Sequence, residues 1–255
     1  MTPDDRVTRE QDFWGHNIPS IEASVAQFHA GPDPNTEAML QAIGPVGGAR
    51  ILDFACGTGV VSAWLASRGA KVVGLDPSSD AIAVAEEVCG ALSLPVKFVS
   101  QTIEDAGELG MFDAVVGRYA LHHTDVAATG KLLAQHLRWG GRAAFVETFD
   151  TNPFLRMARR HAIGRAGIPR LGTLDERPLG PNELEALKST FGQARNVVAE
   201  MRFLRIFDRQ VLRYRLPWAS ALCGLVDDAI QRVPRSATLS YHQVVVLTRI
   251  QSLTS

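Results

Sequence analysis

The sequence has few of the features that mark a secreted, metal-binding or nucleic-acid-binding protein. Its 255 residues include only three cysteines, at unrelated spacings, and no CxxC pair. Disulfide frameworks and cysteine-based metal sites need paired thiols, so we expect reduced cysteines, no metal site and a cytoplasmic location. A formal net charge of −1 and a pI of 6.7 give no electrostatic reason to expect nucleic acid as a partner.

Long apolar runs are also missing. The first residues (MTPDDRVTREQDFW) are polar and show no apolar core of a signal peptide. No uninterrupted apolar stretch approaches the roughly 20 residues that a membrane-spanning helix needs, so we expect no membrane span. With 46% hydrophobic residues, the chain can still bury a sizeable core in one large domain.

Short apolar strands alternate with helical segments from Ala49 onward. The strands predicted in this region are 51–53, 71–75, 96–99, 112–116 and 143–146. The helix before the last of them is expected to reach Gly140-Gly141. Strand and helix in this alternation predict βαβ units, and therefore an α/β fold with a parallel sheet covered by helices on both faces.

The chain divides into three parts of one domain. We predict an N-terminal helical or lid segment at 1–48 with a helix over 13–30, a core at 49–150, and a less regular remainder at 151–255. In the remainder we predict a helix over 182–191, strands over 196–203 and 244–248, and insertions at about 150–180 and 208–235. Because loops on a rigid scaffold often carry function, these insertions are expected to determine specificity.

The glycine turn after the first strand is the most informative motif. It reads Asp53-Phe54-Ala55-Cys56-Gly57-Thr58-Gly59, and Asp76 ends the next strand. Ligands of open parallel sheets bind outside the carboxyl ends of the strands, where the strand order reverses. Gly57 and Gly59 allow a tight turn and a close approach of the backbone, and a carboxylate at Asp76 can accept both hydroxyls of a ribose.

A nicotinamide dinucleotide is the nearest competing ligand for this turn. Its fingerprint, GxGxxG, needs a third glycine at the position of Ser62. Asp53 would repel a diphosphate, but it would attract an amino group, directly or through water. The charge pattern therefore favours a ligand that carries an amino acid, and a nicotinamide oxidoreductase is the disfavoured alternative.

These segments resemble class I S-adenosylmethionine (SAM)-dependent methyltransferases of the broad type-11 group. The resemblance covers roughly residues 45–150 and includes the glycine turn, SQTIE at 100–104, FDAVVGRYALHHTDV at 112–126 and LRWGGRAAFVE at 137–147. It implies a Rossmann-like, doubly wound, mostly parallel seven-stranded sheet with an antiparallel last strand, and an N-terminal helical lid. Ala55 replaces the usual first glycine of the family, and Gln101 replaces an acid often found there.

The resemblance also implies the cofactor, SAM, the product S-adenosylhomocysteine (SAH), and a set of cofactor contacts. The residues assigned to the cofactor are Asp53, Ala55, Gly57, Gly59, Asp76, Pro77, Gln101, Thr102, Ile103, Arg118 and Trp14. Of these, Gln101, Thr102 and Ile103 would surround the adenine. Trp14 belongs to the lid segment, whose aromatic faces suit a sulfonium; an ordinary amphipathic helix over a sheet edge is the alternative.

A general base helps if the methyl acceptor is a hydroxyl that must lose its proton. The candidates follow the fourth and fifth strands: Tyr119, His122, His123 and Glu147. His123 is preferred because imidazole titrates near neutral pH. Alternatively, this histidine segment packs against the cofactor and shapes the pocket.

Arginines are concentrated in the second half. Arg156 and Arg160, followed by His161, have the spacing to bind a carboxylate or phosphate through forked hydrogen bonds. Their alternative is a solvated face paired with nearby acids. Apolar residues nearby in sequence predict an anionic acceptor with an apolar body, although they equally fit a homodimer contact or simple core: Leu212, Leu216, Trp218, Leu222 and Leu225.

Two functions of different classes follow. The first is a methyltransferase that acts on a small molecule, and the alternative is a module of the same fold that binds SAM or a partner without turnover. Nucleic-acid methylation is disfavoured, because Gly117-Arg118-Tyr119-Ala120 stands where amine-directed base methylases carry an Asn/Asp-Pro-Pro-aromatic motif.

Overall fold

A computed structural model describes residues 18–107, 109–161, 177–233 and 236–250. Trp14 lies outside these ranges, as does the part of the predicted insertion at 162–176. The side chain of Arg160 is also outside the description.

The strands are β1 (Arg50–Phe54), β2 (Lys71–Asp76), β3 (Val96–Ser100), β4 (Phe112–Arg118), β5 (Leu137–Thr148), β6 (Gly192–Val197) and β7 (His242–Arg249). The α-helices are α1 (Ile21–Ala30), α2 (Pro34–Ala42), α3 (Val60–Ser67), α4 (Ser79–Ala91), α5 (Val126–His136), α6 (Pro153–His161), α7 (Pro181–Phe191), α8 (Leu204–Phe207) and α9 (Pro217–Gln231). Short 3-10 turns lie at Leu121–His123 and Ser236–Leu239, and a π-helical turn lies at Asp208–Leu212.

The strands form one sheet in the order β3-β2-β1-β4-β5-β7-β6. Strands β1 to β5 pair in parallel, whereas β7 runs antiparallel to both β5 and β6. The prediction of a doubly wound, seven-stranded sheet with an antiparallel last strand is confirmed. The strand order reverses between β1 and β4, so the carboxyl ends of these strands frame the crevice in which open sheets bind ligands.

Each face of the sheet has its own apolar cluster. On one face, Leu52 and Phe145 belong to a cluster that includes side chains of α5 and α7. On the other face, Ile51 and Val116 belong to a cluster with side chains of α2 and α3. Because successive strand residues point to opposite faces, a strand covered on both faces buries adjacent residues such as Ile51 and Leu52.

Two predicted boundaries after residue 130 are wrong. Helix α5 ends at His136, before Gly140-Gly141, because these glycines lie within β5, beside an irregularity in its pairing with β4. The sixth strand spans Gly192–Val197, not 196–203. Beyond Val197, side chains replace the strand ladder as hydrogen-bond acceptors: Asn35 Oδ1 accepts the backbone N–H of Ala199 and Glu200.

The apolar residues around α9 do not form core. Trp218, Leu222 and Leu225 are 69%, 53% and 68% exposed, and Leu216 is also exposed. The buried residues of this helix are Ala219 and Asp227 instead. The simple-core interpretation is therefore wrong for these apolar residues. Within the described ranges, no helix is long and apolar enough to cross a membrane.

The two glycines of the turn offer matched variants for a stability test. Both have positive φ, but a Cβ added at Gly59 would lie 2.9 Å from the Ala85 Cβ and 3.0 Å from the Phe98 ring, whereas one at Gly57 would meet nothing within 4 Å. We expect Gly59→Ala to lower the free energy of unfolding by about 2–4 kcal/mol through backbone strain and overpacking. Gly57→Ala should lower the free energy of unfolding by only about 1–2 kcal/mol, because its cost comes from the left-handed backbone alone. Urea unfolding measures both losses; equal losses would contradict the close packing at Gly59.

Candidate functional site

Asp76 joins the end of β2 to the glycine turn. Its Oδ2 accepts the backbone N–H of Gly57 at 2.9 Å, and its Oδ1 accepts the backbone N–H of Ser78 at 2.9 Å. A carboxylate has about four lone-pair sites, so each oxygen can accept a further hydrogen bond from a ligand. The same contacts that hold the turn thus leave Asp76 with capacity to bind.

The glycine turn uses left-handed backbone at three positions. Ala55, Gly57 and Gly59 have φ values of 55°, 51° and 74°. The space in front of Gly57 is open, whereas Gly59 faces α4 and β3. Ala55 adopts a conformation that favours glycine, which is a physical reason for the glycine that the resembled family carries there. The turn therefore presents bare backbone to the open edge at Gly57.

Asp53 is a buried carboxylate held by Ser62. It is 1% exposed, and Ser62 Oγ donates a hydrogen bond to its Oδ2 at 2.6 Å. Burial raises the pKa of Asp53 to about 7, with a further rise from the negative charge of Asp76, against the hydrogen bond from Ser62. Ser62, the residue in place of the third dinucleotide glycine, thus holds the carboxylate.

Burial disfavours the ionised form of both carboxyls at the ends of β1 and β2. Burial also raises the pKa of Asp76, against the hydrogen bonds from Ser78 and Gly57. A nearby positive charge would stabilise the ionised forms of Asp53 and Asp76. The edge of β1 and β2 is therefore suited to a cationic group, together with hydroxyl donors.

Glu147, at the end of β5, organises the loop that follows β4. It is fully buried, and its Oε1 accepts the backbone N–H of Ala120 at 2.8 Å and of Leu121 at 2.7 Å. Its Oε2 lies 2.7 Å from Nδ1 of His122. Both carboxylate oxygens are thus engaged by the loop, and they fix the start of the 3-10 turn that carries His122 and His123.

The catalytic candidates after β4 differ in their surroundings. His122 is 6% exposed, whereas His123 is half-buried, with its ring centroid 4.1 Å from that of His122. The hydroxyl of Tyr119 lies 3.4 Å from Nδ1 of His242 at the start of β7. Sequence reasoning missed His242, because no local motif marks it and only the insertion of β7 beside β5 brings it to this edge.

Other residues predicted to contact a cofactor lie near the ends of β2 and β3 or in the core. Pro77 and Gln101 are exposed and follow the paired strand ends of β2 and β3. Thr102 donates a hydrogen bond from Oγ1 to Asp105 Oδ2, and Ile103 is 5% exposed within the core. Their contacts with a cofactor stay predictions.

The arginines predicted to bind the cofactor or the substrate lie in different parts of the structure. Arg118 lies at the carboxyl edge, where its Nη2 donates a hydrogen bond to Asp33 Oδ2 at 3.2 Å. Arg156 and His161 are exposed on α6, and their substrate role stays a prediction. Among the described residues, no group of three or more His, Cys, Asp or Glu side chains is placed to hold a metal ion.

Helix α1 docks on the glycine turn. The hydroxyl of Ser24 donates to Thr58 Oγ1 at 3.1 Å, and the indole N–H of Trp64 donates to the Phe28 carbonyl at 3.1 Å. The helix begins at Ile21, after Ser20 as its N-cap. The predicted helix over 13–30 is therefore wrong at residues 18–20, because the Ser20 side chain caps the helix by accepting the backbone N–H of Ala23. Residues 21–30 of that prediction form the helix that contacts the turn expected to bind the cofactor.

The chain matches known proteins in sequence. Residues 51–141 match a family model described as a methyltransferase domain. A ubiquinone biosynthesis O-methyltransferase from Rhizobium rhizogenes is 37% identical over 192 residues, which cover 69% of this chain and 75% of that protein. A protein of the same name from Rhizobium etli is 32% identical over 159 residues, or 57% of this chain; the match spans 64% of that protein, less than two thirds of its length.

The fold also matches solved structures. Geranyl diphosphate C-methyltransferase from Streptomyces coelicolor A3(2) superposes with a TM-score of 0.57 at 14% identity, over 90% of this chain and 83% of that chain. At this identity the similarity shows a shared fold. It carries no information about the acceptor of this chain.

Removal of the Glu147 carboxylate should destabilise the protein strongly. Glu147→Ala leaves three donors without their acceptor, and we expect a loss of about 3 kcal/mol or more in the free energy of unfolding. Glu147→Gln keeps one oxygen for the backbone donors and should lose less. Urea unfolding measures both, with Glu185→Ala as the control because Glu185 is exposed on α7. An alanine variant as stable as that control would contradict the role of Glu147.

Proposed function

The chain belongs to the class I SAM-dependent methyltransferases, and on that basis we propose that it transfers a methyl group to a hydroxyl oxygen of a small molecule. The curated relatives named above are O-methyltransferases, which supports oxygen as the acceptor atom. A net charge of −1 supports a small molecule over nucleic acid, and the reduced-cysteine pattern supports a cytoplasmic location. A homodimer contact is the alternative role that we propose for the exposed apolar face of α9.

Two carboxylates beside an open glycine turn carry the proposal. They fit SAM, because Asp76 can accept the ribose hydroxyls and Asp53 can attract the amino group of the methionine moiety. The open space at Gly57 admits the ligand close to the backbone. Further contacts in the proposal come from the residues named for the cofactor above: Ala55, Gly59, Pro77, Gln101, Thr102, Ile103, Arg118 and Trp14.

The chemistry needs alignment and one proton transfer from this chain. When bound, SAM supplies a methyl group on a sulfonium that is already reactive toward a nucleophile. Helix α1 and the loop after β4 exclude water and align the acceptor at the carboxyl end of β4. His123 takes the proton of the acceptor hydroxyl at a ring nitrogen. Glu147 and His122 act as positioning residues, since their contacts hold the turn that carries His123.

The acceptor in this proposal combines an apolar body with an anionic group. Exposed apolar side chains of α6 and α9, among them Phe154 and Trp218, supply apolar surface in the second half of the chain. Arg156, Arg160 and His161 are candidates for the anionic group from their spacing on α6.

Asp76 should be required for SAM binding. Asp76→Ala removes the acceptor for the ribose hydroxyls, and we expect the dissociation constant for SAM to rise at least about tenfold, since hydrogen bonds to charged groups contribute about 1.5–3 kcal/mol each. Asp76→Asn keeps one acceptor oxygen, so its dissociation constant for SAM should lie between those of the wild type and Asp76→Ala. Asp80→Ala, at an exposed position in α4, is the control. Calorimetry measures the constants; unchanged SAM affinity in Asp76→Ala would refute the assignment of Asp76 to the ribose.

Methyl transfer should depend on His123. Catechols are suitable acceptors, because a phenolic hydroxyl with a pKa of about 10 loses its proton more readily than an aliphatic one. We expect His123→Gln to lower kcat about 10²–10⁴-fold at neutral pH with SAM affinity unchanged. His29→Gln is the control, since His29 is exposed on α1.

Mass spectrometry of the methylated catechol and of SAH follows this reaction. A variant with the kcat of the wild type would contradict the base assignment. SAM binding without any methylated product across a panel of catechols, phenols and aliphatic alcohols would favour the non-catalytic alternative.

A further inference from the structure

A second polar cluster lies at the carboxyl edge of the sheet, on the side away from the glycine turn. Its side chains are Arg118 and Tyr119 after β4, Arg202 and Arg209 in the second half, and His242 at the start of β7. In the order β1-β4-β5-β7, β7 lies three strands from β1. At about 4.8 Å between neighbouring strands, this separation is about 14 Å.

Direct contacts join Arg118, Tyr119 and His242 within this cluster. The Tyr119 hydroxyl is 3.4 Å from Nδ1 of His242, and their ring centroids are 5.1 Å apart. The guanidinium carbon of Arg118 lies 5.1 Å from the centroid of the Tyr119 ring. Arg202 is held beside the start of β7, because its backbone N–H donates to Ser240 Oγ and its carbonyl accepts the N–H of Tyr241.

Burial and nearby arginine charge both act on His242. Its ring is 5% exposed, and burial lowers the pKa of His242 to about 3, with further lowering by Arg202, Arg209 and Arg118 against the charge of Asp33. His242 is therefore neutral near pH 7. Three guanidinium groups lie close enough to this ring to lower its pKa, and the negative charge of Asp33 acts in the opposite direction.

Two of these guanidinium groups are incompletely paired. Arg118 contacts Asp33 at 3.2 Å, and Arg202 contacts Glu200 at 2.5 Å, each through Nη2. The Nε atoms of Arg118 and Arg202 are buried and have no hydrogen-bond partner among the residues that the structure describes. Buried donors are nearly always satisfied, so two of them in one cluster indicate an acceptor outside the described residues, and a bound anion would supply one.

We propose that this cluster is an oxyanion subsite that binds a carboxylate or phosphate group of the methyl acceptor. The inference rests on the proposed function and deepens it, because it places the anionic end of the acceptor. Guanidinium forks match carboxylate and phosphate oxygens, and the Tyr119 hydroxyl adds a donor. Three arginines against Asp33 and Glu200 leave the cluster with an excess positive charge.

The position of Arg202 and His242 assigns the β7 side of the cluster to the acceptor and not to SAM. The carboxylates that suit the cofactor lie at β1 and β2, whereas Arg202 and His242 lie at β7. Tyr119 directly precedes the loop with His123, so an anion held here would anchor one end of a molecule whose hydroxyl reaches that histidine. This subsite is an alternative to Arg156, which is exposed on α6, as the contact for the anionic group.

The test compares an acid with its neutral ester on SAH-loaded protein. The probes are 3,4-dihydroxybenzoate, its methyl ester and inorganic phosphate, measured by calorimetry. We expect wild-type protein to bind the acid about tenfold or more tightly than the ester, because charge-assisted hydrogen bonds contribute the difference. Phosphate should bind and compete with the acid.

Variants at Arg202 separate the subsite from general charge effects. Arg202→Gln should abolish the preference for the acid, and Arg202→Lys, which keeps the charge without the fork, should bind the acid at intermediate affinity. Arg195→Gln removes the same charge from an exposed position on β6 and should behave as wild type. Thermal unfolding of each variant confirms that the fold is intact.

The outcomes separate this proposal from the proposed function. Absence of SAH binding to wild-type protein would overturn the proposed function, and with it the assignment of the subsite to a methyl acceptor. With SAH bound, equal affinity for acid and ester, failure of both acid and phosphate to bind, or full acid affinity in Arg202→Gln would overturn the subsite alone. Weakened SAH binding in Arg202→Gln with unchanged acid affinity would assign Arg202 to the carboxylate of the cofactor, and this result would also overturn the subsite.

Discussion

The hydrogen bonds that the buried Glu147 carboxylate accepts from the loop after β4 are the interactions on which the carboxyl edge of the sheet most depends. Loops at the carboxyl ends of parallel strands cannot continue the strand ladder, yet their backbone N–H groups still need acceptors. Glu147 supplies acceptors to the loop after β4, and Asp76 supplies them to the glycine turn. Asp227 does the same for three consecutive N–H groups at the start of α8, and Asn35 for the loop after β6. Buried polar side chains thus shape the irregular backbone that a ligand meets.

Charge is divided along this edge. Carboxylates occupy the ends of β1 and β2, where Asp53 and Asp76 carry raised pKa values because of burial. Arginines gather toward the end of β4 and the start of β7, where they help to keep His242 neutral. A cationic ligand and an anionic ligand would therefore be sorted to opposite ends of the same crevice. Because the carboxylates and the arginines lie apart, neither group neutralises the charge that the other offers to its ligand.

Much of the fold followed from local pattern. Strands β1 to β4 were predicted to within about two residues, because apolar runs that end at a turn or an acid mark strands covered on both faces. The irregular second half was harder. Residues 198–203 resemble a strand in composition, but four of their N–H groups bond to side chains of α2 and α9, which are distant in sequence. Gly140-Gly141 looked like a helix end, although these glycines lie within β5 beside its irregular pairing with β4.

The sequence by itself determined the glycine turn, its two carboxylates and the family of the chain, because these features are contiguous and their geometry is local. Only the tertiary structure decided which side chains meet them. Ser62 appeared as a missing glycine, and the fold shows it holding Asp53. Glu147 appeared as a catalytic candidate, and the fold gives it the contacts of a buried clamp. His242 and Arg202 had no signal at all, because they reach the edge only when β7 inserts antiparallel beside β5, and pairing between distant strands leaves no local pattern to read.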